Sequence, residues 1–175
     1  MTKRFSHSIQ DEYYTPLYAV NIITPFIEQF KTIWCPFDQE DSGYVTRLRG
    51  LGHIVHSTHI DNGEDFLTYT PKFEYDAIIS NPPFSLKNEV LDKCIRLNKP
   101  FALLLPFAMF NSISAVSILS KSNPNFIIMD RRISFNGERP NFTCWYVTSG
   151  IIKQNFFHIF KDDPKVLYRK DDESV

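Results

Sequence analysis

Four consecutive residues, Asn81-Pro82-Pro83-Phe84, carry the densest chemical signal in this sequence. Two prolines in a row fix two φ angles and remove two backbone donors. The chain there is stiff, and its carbonyls point where the prolines set them. An amide side chain precedes the prolines and an aromatic ring follows. The arrangement suits a flat polar group bearing an NH₂. The Asn81 side-chain oxygen can accept one N–H and the Pro82 carbonyl the other. Phe84 can stack on the face of the ring that bears the amine, worth ~1–3 kcal/mol by analogy with single-strand stacking. Holding both hydrogens turns the nitrogen lone pair toward an electrophile. An amide does not titrate near neutral pH, so Asn81 is no general base. It would position the amine and stabilise the positive charge that develops on it. A rigid turn between a strand and a helix is the plainer account of the same residues. Their context favours chemistry.

That context is an alternation of strands and helices. Asp76 to Ser80 contains the apolar run Ala77-Ile78-Ile79, which suits a strand buried on both faces. Leu86 to Leu97 follows with Leu86, Val90, Leu91, Cys94 and Ile95 at helical spacing. Pro100 to Pro106 reads as a second buried strand. Upstream, Thr15 is placed as an N-cap with Pro16 at the first helical position, ahead of Ala19, Ile22, Ile23, Phe26, Ile27 and Phe30. Thr32 to Pro36 reads as a strand, Ser42 to Arg49 as a helix closed by Gly50 and Gly52, and His53 to Thr58 as a strand. Downstream, Ala108 to Ser120 reads as a helix and Phe126 to Met129 as a strand. Phe142 to Thr148 and Asn155 to Phe160 are predicted to form a terminal antiparallel hairpin around Ser149-Gly150. The rhythm predicts an α/β fold, a mainly parallel open sheet with helices on both faces. Ligands in such sheets bind beyond the carboxyl ends of the strands, so the loops after Pro36, Thr58, Ser80 and Pro106 should line the site.

Composition narrows the classes. The 175 residues are 43% hydrophobic and 22% charged, which suits one globular domain over residues 1–175 and argues against a disordered chain. Residues 1–10 and 162–175 read as loose polar termini. The net charge of −1 argues against a cationic coat for nucleic acid, though not against a local basic patch. Cys35, Cys94 and Cys144 are too few and too widely spaced for a disulfide framework or a zinc site, so no metal is expected. No leader and no membrane-spanning run is read, and the expectation is a soluble cytoplasmic protein.

Asn81-Pro82-Pro83-Phe84 after an apolar strand resembles the catalytic motif of S-adenosylmethionine-dependent amino-group methyltransferases. Adenine-N6 enzymes acting on DNA or RNA and glutamine-N5 enzymes acting on protein share it. The resemblance implies a Rossmann-like methyltransferase fold and S-adenosylmethionine as cofactor. Other segments match in order. Tyr14-Thr15-Pro16 resembles the N-terminal motif that packs under the methionine part of the cofactor. Trp34-Cys35-Pro36-Phe37-Asp38 stands where the family's first strand enters its cofactor loop. Ser80 and Asn81 close the third strand against the same cofactor. The family carries glycines in that loop, whereas this chain has Asp41-Ser42-Gly43. Asp38 and Ser42 are read as replacing them by hydrogen bonding the cofactor's amino-acid end. His59 stands where many relatives place an acid for the ribose, with Asp61 close behind. Asp65-Phe66 resembles the motif whose acid and aromatic ring hold the adenine. The order is similar to that of gamma-type adenine methyltransferases and of small members encoded by bacterial viruses.

A target-recognition domain is not apparent. A partner, a homodimer, or an acceptor that is already single-stranded or structured RNA would then supply target selection. Lys87, Arg131, Arg132 and Arg139 are candidate phosphate contacts, and Lys3, Arg4 and His7 a second arm. Two other readings accompany the adenine-N6 enzyme. One is a protein glutamine-N5 methyltransferase. The other is a binding module on the same fold that has lost catalysis, for nucleic acid or a host protein, suggested by the glycine-poor loop.

Overall fold

The computed structural model describes residues 14–135 and 142–159. Among the described residues seven strands form one sheet: β1 (Thr32–Cys35), β2 (Ile54–Ser57), β3 (Ala77–Ser80), β4 (Phe101–Pro106), β5 (Asn125–Met129), β6 (Cys144–Ser149) and β7 (Phe156–His158). Their order is β2-β1-β3-β4-β6-β5-β7. The first four are mutually parallel, and β5 pairs parallel with β7. Strand β6 runs antiparallel to both its neighbours.

Alternation of apolar side chains buries both faces of the sheet. Ile33, Cys35, Ala77, Ile79, Ala102, Leu104 and Tyr146 face one layer. Helices α1 (Leu17–Ile23) and α2 (Gly43–Gly50) cover it through Ala19, Val20, Ile23, Tyr44, Val45 and Leu48. Trp34, Ile78, Phe101, Leu103, Leu105 and Val147 face the other. Helices α3 (Lys87–Leu97) and α4 (Ile113–Leu119) cover that side through Val90, Leu91, Cys94, Ala115 and Leu119. The chain therefore runs β1-α2-β2 on one face and β3-α3-β4 on the other. Adjacent strands β1 and β3 thus send their loops apart, which opens a crevice at their carboxyl ends.

Four sequence expectations are corrected. The terminal hairpin does not form, because β5 lies between β6 and β7. Strand β6 is apolar on both sides, and wedging between β4 and β5 buries Cys144, Tyr146 and Val147 more fully than an edge position would. Pro16, not Thr15, caps α1: its backbone is extended (ψ 149°) and no side chain caps the helix. Pro25 then tightens the chain into a 3₁₀ turn, Thr24–Phe26, so the helix stops short of Phe30. The expected helix from Ala108 to Ser120 is interrupted at Ser112, whose extended backbone (φ −101°, ψ 121°) separates a 3₁₀ turn, Phe107–Asn111, from α4.

The connection from β2 to β3 crosses over β1 without an α-helix. Instead it wraps Trp34 with Phe66, Tyr69, Phe73 and Tyr75, their ring centroids 5.1–6.2 Å from the indole. The indole N–H donates to the Thr58 hydroxyl at 2.9 Å. From α3, the Lys93 ammonium donates to the carbonyls of Phe66 and Tyr69. Lys93 thus ties this aromatic wrap to the helix layer.

Candidate active site

The crevice is a cleft of roughly 930 Å³, its open mouth included. Residues from the loop after β1 (Pro36, Phe37, Asp38, Gln39, Ser42), from the segment after β2 (His59, Ile60, Asp65, Phe66, Leu67) and from the loop after β3 (Asn81, Pro83, Leu86) line it. Tyr14 and Thr15, at the entry to α1, close one side. Segments far apart in the chain thus meet because three parallel strands end at one edge.

Asp38 is the anchor. It is buried, at 8% exposure, yet lines the cleft. The Ser80 hydroxyl donates to its Oδ2 across the β1–β3 crevice. Burial pushes its pKa up from 3.8 to about 6, while the hydroxyls of Ser80 and Ser42 and the nearby His59 restrain the rise. Ser42 also caps α2, accepting the Val45 N–H at 3.2 Å. His59 is almost buried; its Nδ1 accepts the Asp61 N–H at 3.3 Å and lies 3.2 Å from the Asp61 carboxylate. Gln39 donates to the same carboxylate at 3.2 Å. Beside them Arg49 pairs with Glu40, which also accepts from the Ser57 hydroxyl. That brace ties the loop after β1 to the end of β2.

At the other end of the cleft, Asp65 starts no helix. Its Oδ1 accepts the Leu67 N–H at 3.0 Å in a side-chain turn. The turn sets Phe66 5.0 Å from the Phe37 ring, giving that end an apolar wall.

Asn81 leaves the buried end of β3 directly into the cleft, and Pro83 (φ −58°, ψ 128°) holds the chain extended before a 3₁₀ turn, Phe84–Leu86. Pro82 is buried, and Pro83 lines the cleft. Phe84 is half-buried and packs edge-on to Phe142 at 5.4 Å and Phe135 at 6.4 Å. Pro16 lies beside Thr15, outside the cleft lining, and Ser80 acts from beneath through Asp38.

The loop after Pro106 does not reach the cleft. Its first amide bonds the Thr143 carbonyl at 2.8 Å, which draws it toward β6. Among the expected phosphate contacts, Lys87 donates to the Phe84 carbonyl at 3.2 Å. The Arg131 side chain is 8% exposed and turns toward Asp130 at 3.4 Å, so it does not stand on an open rim. Arg132 is exposed. Arg139, with Lys3, Arg4 and His7 and both termini, lies outside the described residues. Among the described residues no group of His, Cys, Asp and Glu is disposed to hold a metal ion, and no helix is long and apolar enough to cross a membrane.

Sequence reasoning passed over Gln39, Ile60, Leu67 and Leu86 as lining residues, since only the turn geometry brings them in. Gly43, which opens α2, also lines the cleft. A Cβ there would stand 2.6 Å from the Thr15 carbonyl oxygen. This glycine lets Tyr14-Thr15 lie close against the start of α2. Gly43→Ala is expected to cost about 1–3 kcal/mol in thermal unfolding, as overpacking does. Gly50→Ala, with nothing within 4 Å of the added atom, should be neutral or slightly stabilising.

The chain matches no protein-family model and no curated protein in sequence. Solved structures do resemble it. A Listeria monocytogenes protein described as a class I S-adenosylmethionine-dependent methyltransferase is 13% identical, with TM-score 0.56, over 95% of this chain and 72% of that one. A type I restriction-modification methyltransferase subunit from Streptococcus thermophilus is 12% identical, with TM-score 0.47, over 91% of this chain and 52% of that one. The first likeness is one of fold: this chain has the Rossmann-like fold of S-adenosylmethionine-dependent methyltransferases.

Proposed function

We propose that the protein transfers the methyl group of S-adenosylmethionine to the exocyclic N6 amino group of adenine in DNA or RNA. The observation that carries this reading is that Asn81 and Pro83 line the same cleft that holds a buried acid, Asp38, at the β1–β3 crevice.

The residues present fit the cofactor. A buried carboxylate flanked by two serines suits the ammonium of an amino acid. Gln39 and His59 supply polar partners midway, and Phe37, Phe66 and Leu67 an apolar slot for a flat purine. When bound, S-adenosylmethionine supplies an electrophilic methyl group on a sulfonium. Asn81 accepts one N–H of the acceptor amine and the Pro82 carbonyl the other, which aims the lone pair and stabilises the growing positive charge. Two prolines keep this pair of acceptors rigid, so little reorganisation is needed at the moment of transfer.

A second reading has its own observation. The loop after β1 holds no glycine, and Gly43, the first residue of α2, is already committed to packing on Thr15. A binding module that has lost catalysis would show such a loop. Calorimetric titration with S-adenosylmethionine and with its demethylated product separates the two. One-site binding followed by transfer of labelled methyl to DNA or RNA is expected. Label appearing in protein alone would assign the glutamine reaction, and a folded protein that ignores millimolar cofactor would leave the binding module.

A further inference from the structure

The apolar end of the cleft is built from chain without regular structure. Residues 63–76 form neither helix nor strand between the 3₁₀ turn Ile60–Asn62 and β3. Within them the Asp65 carbonyl accepts from the amides of Thr68 and Tyr69 at 3.0 and 2.7 Å, and its Oδ1 accepts from Leu67. All three bonds lie inside one turn. They give it a shape but do not fix where it sits. A segment held only by its own bonds opens readily unless another element pins it.

The pin comes from α3. Lys93 donates to the carbonyl of Phe66, early in the turn, and to that of Tyr69, at its end, the latter at 2.8 Å. The same nitrogen stands 5.0 Å from the centre of the Phe66 ring. Burial pushes the Lys93 pKa below its ordinary value, Arg96 adds to the fall and Asp65 opposes it. A partly desolvated ammonium bonded to two carbonyls is a strong tether, because hydrogen bonds from a charged donor exceed neutral ones. What it tethers lines the cleft. Phe66 and Leu67 belong to this turn, and Phe66 meets Phe37 from the loop after β1 at 5.0 Å.

One helix thereby holds both halves of the site. At the first residue of α3, Lys87 donates to the Phe84 carbonyl of the catalytic loop. Less than two turns further along, Lys93 holds the apolar wall.

We infer that Lys93 is a positioning residue: it fixes the Asp65–Tyr69 turn, and with it the Phe66–Leu67 wall, where the purine of S-adenosylmethionine is received. The inference rests on the cofactor half of the proposed function and not on the acceptor.

Lys93→Met keeps most of the side chain's length and removes its donors. In the free variant the amides of Leu67, Thr68 and Tyr69 are expected to exchange with solvent deuterium about tenfold faster than in the parent. Saturating S-adenosylmethionine should slow them again. Calorimetric affinity for S-adenosylmethionine should fall about tenfold, because the ligand must then order its own wall. Lys93→Arg, which keeps a charged donor, should restore both. Lys93→Gln, neutral and still a donor, carries the same comparisons if Lys93→Met fails to fold. Lys99→Met is the control. The Lys99 ammonium lies 5.6 Å from the centre of the Tyr75 ring, on the same aromatic wrap but outside the cleft lining. Its loss should leave cofactor affinity and the exchange of these amides at the parent's values. Parent-like exchange and affinity in Lys93→Met would overturn the inference alone, and so would an equal loss of affinity in Lys99→Met, which would assign the effect to general loosening of the wrap. A folded parent that does not bind S-adenosylmethionine would overturn the cofactor reading and the inference with it, even where Lys93→Met speeds the exchange.

Discussion

Replacing Asn81 by alanine is expected to lower methyl transfer about a hundred- to a thousandfold, the usual loss when one preorganised polar group at the reacting centre is removed. The side chain leaves a fully buried strand and enters the cleft, and the two prolines behind it hold the backbone whether or not the amide is present. Truncation should therefore remove an acceptor for the amine without moving the loop. The cofactor's binding enthalpy and affinity should stay near the parent values, and the melting temperature should shift by only a few degrees. A labelled-methyl assay at saturating cofactor, run beside calorimetry and a thermal melt, checks all three. Unchanged turnover with intact cofactor binding would remove Asn81 from the reaction.

Asp38→Asn is expected to separate binding from stability. The Asp38 carboxyl titrates near pH 6 because burial disfavours its charged form, although Ser80, Ser42 and His59 favour it. Above that pH it is a carboxylate aimed at the cleft, suited to a cationic amino-acid end. Cofactor affinity in the parent should therefore fall about tenfold between pH 7.5 and pH 5, as a proton competes for the site. In Asp38→Asn it should be weak and flat across that range. Stability moves the other way. The folded pKa lies above the unfolded value of 3.8, so the folded state holds the proton more tightly. Stability therefore declines as pH rises from about 4 to about 6, and the cost persists above that. A displacement of this size represents about 3 kcal/mol at most. Asp38→Asn removes it but bonds the two serines less strongly, so the net gain at pH 8 should be smaller. The variant should melt above the parent at pH 8, and the gap should close toward pH 4. A pH-independent gap, or parent-like cofactor binding at pH 8, would show that Asp38 is a structural acid.

The aromatic partners of Phe84 bear on what that ring can do. Edge-on packing against Phe135 and Phe142 spends part of the ring on the core. A base entering the site would meet a wall of three rings, not one free face. Phe142 was not a candidate in the sequence because a lone Phe before a strand has no distinguishing local signal.

Much of the fold was legible in local pattern. The runs Ala77-Ile78-Ile79 and Phe101 to Pro106 announced strands buried on both faces, and Val90, Leu91 and Cys94 marked one face of a helix. Strand and helix periods are short-range properties, so a window of residues suffices to read them. The reading of β6 and β7 as a hairpin failed for the same reason. A Ser-Gly turn between two apolar segments favours a hairpin locally, while the choice of β6 to insert between β4 and β5 depends on what lies 40 residues upstream. Arg131 was legible as a charge but not as a direction: its side chain is buried beside Asp130.

The sequence by itself determined the chemistry on offer: a rigid Asn-Pro-Pro-Phe unit after an apolar strand, and Asp38, Ser42, His59, Asp65 and Phe66 spaced along successive strand ends. These are properties of residue type and order, and they survive without coordinates. Only the tertiary structure decided that these residues share one cleft. It alone joined Ser80 to Asp38, and it alone set Gly43 beneath Thr15 and the rings of Phe135 and Phe142 against Phe84. Each of those contacts joins residues brought together by sheet order. Sheet order follows from how whole faces are buried, which no single stretch of chain encodes.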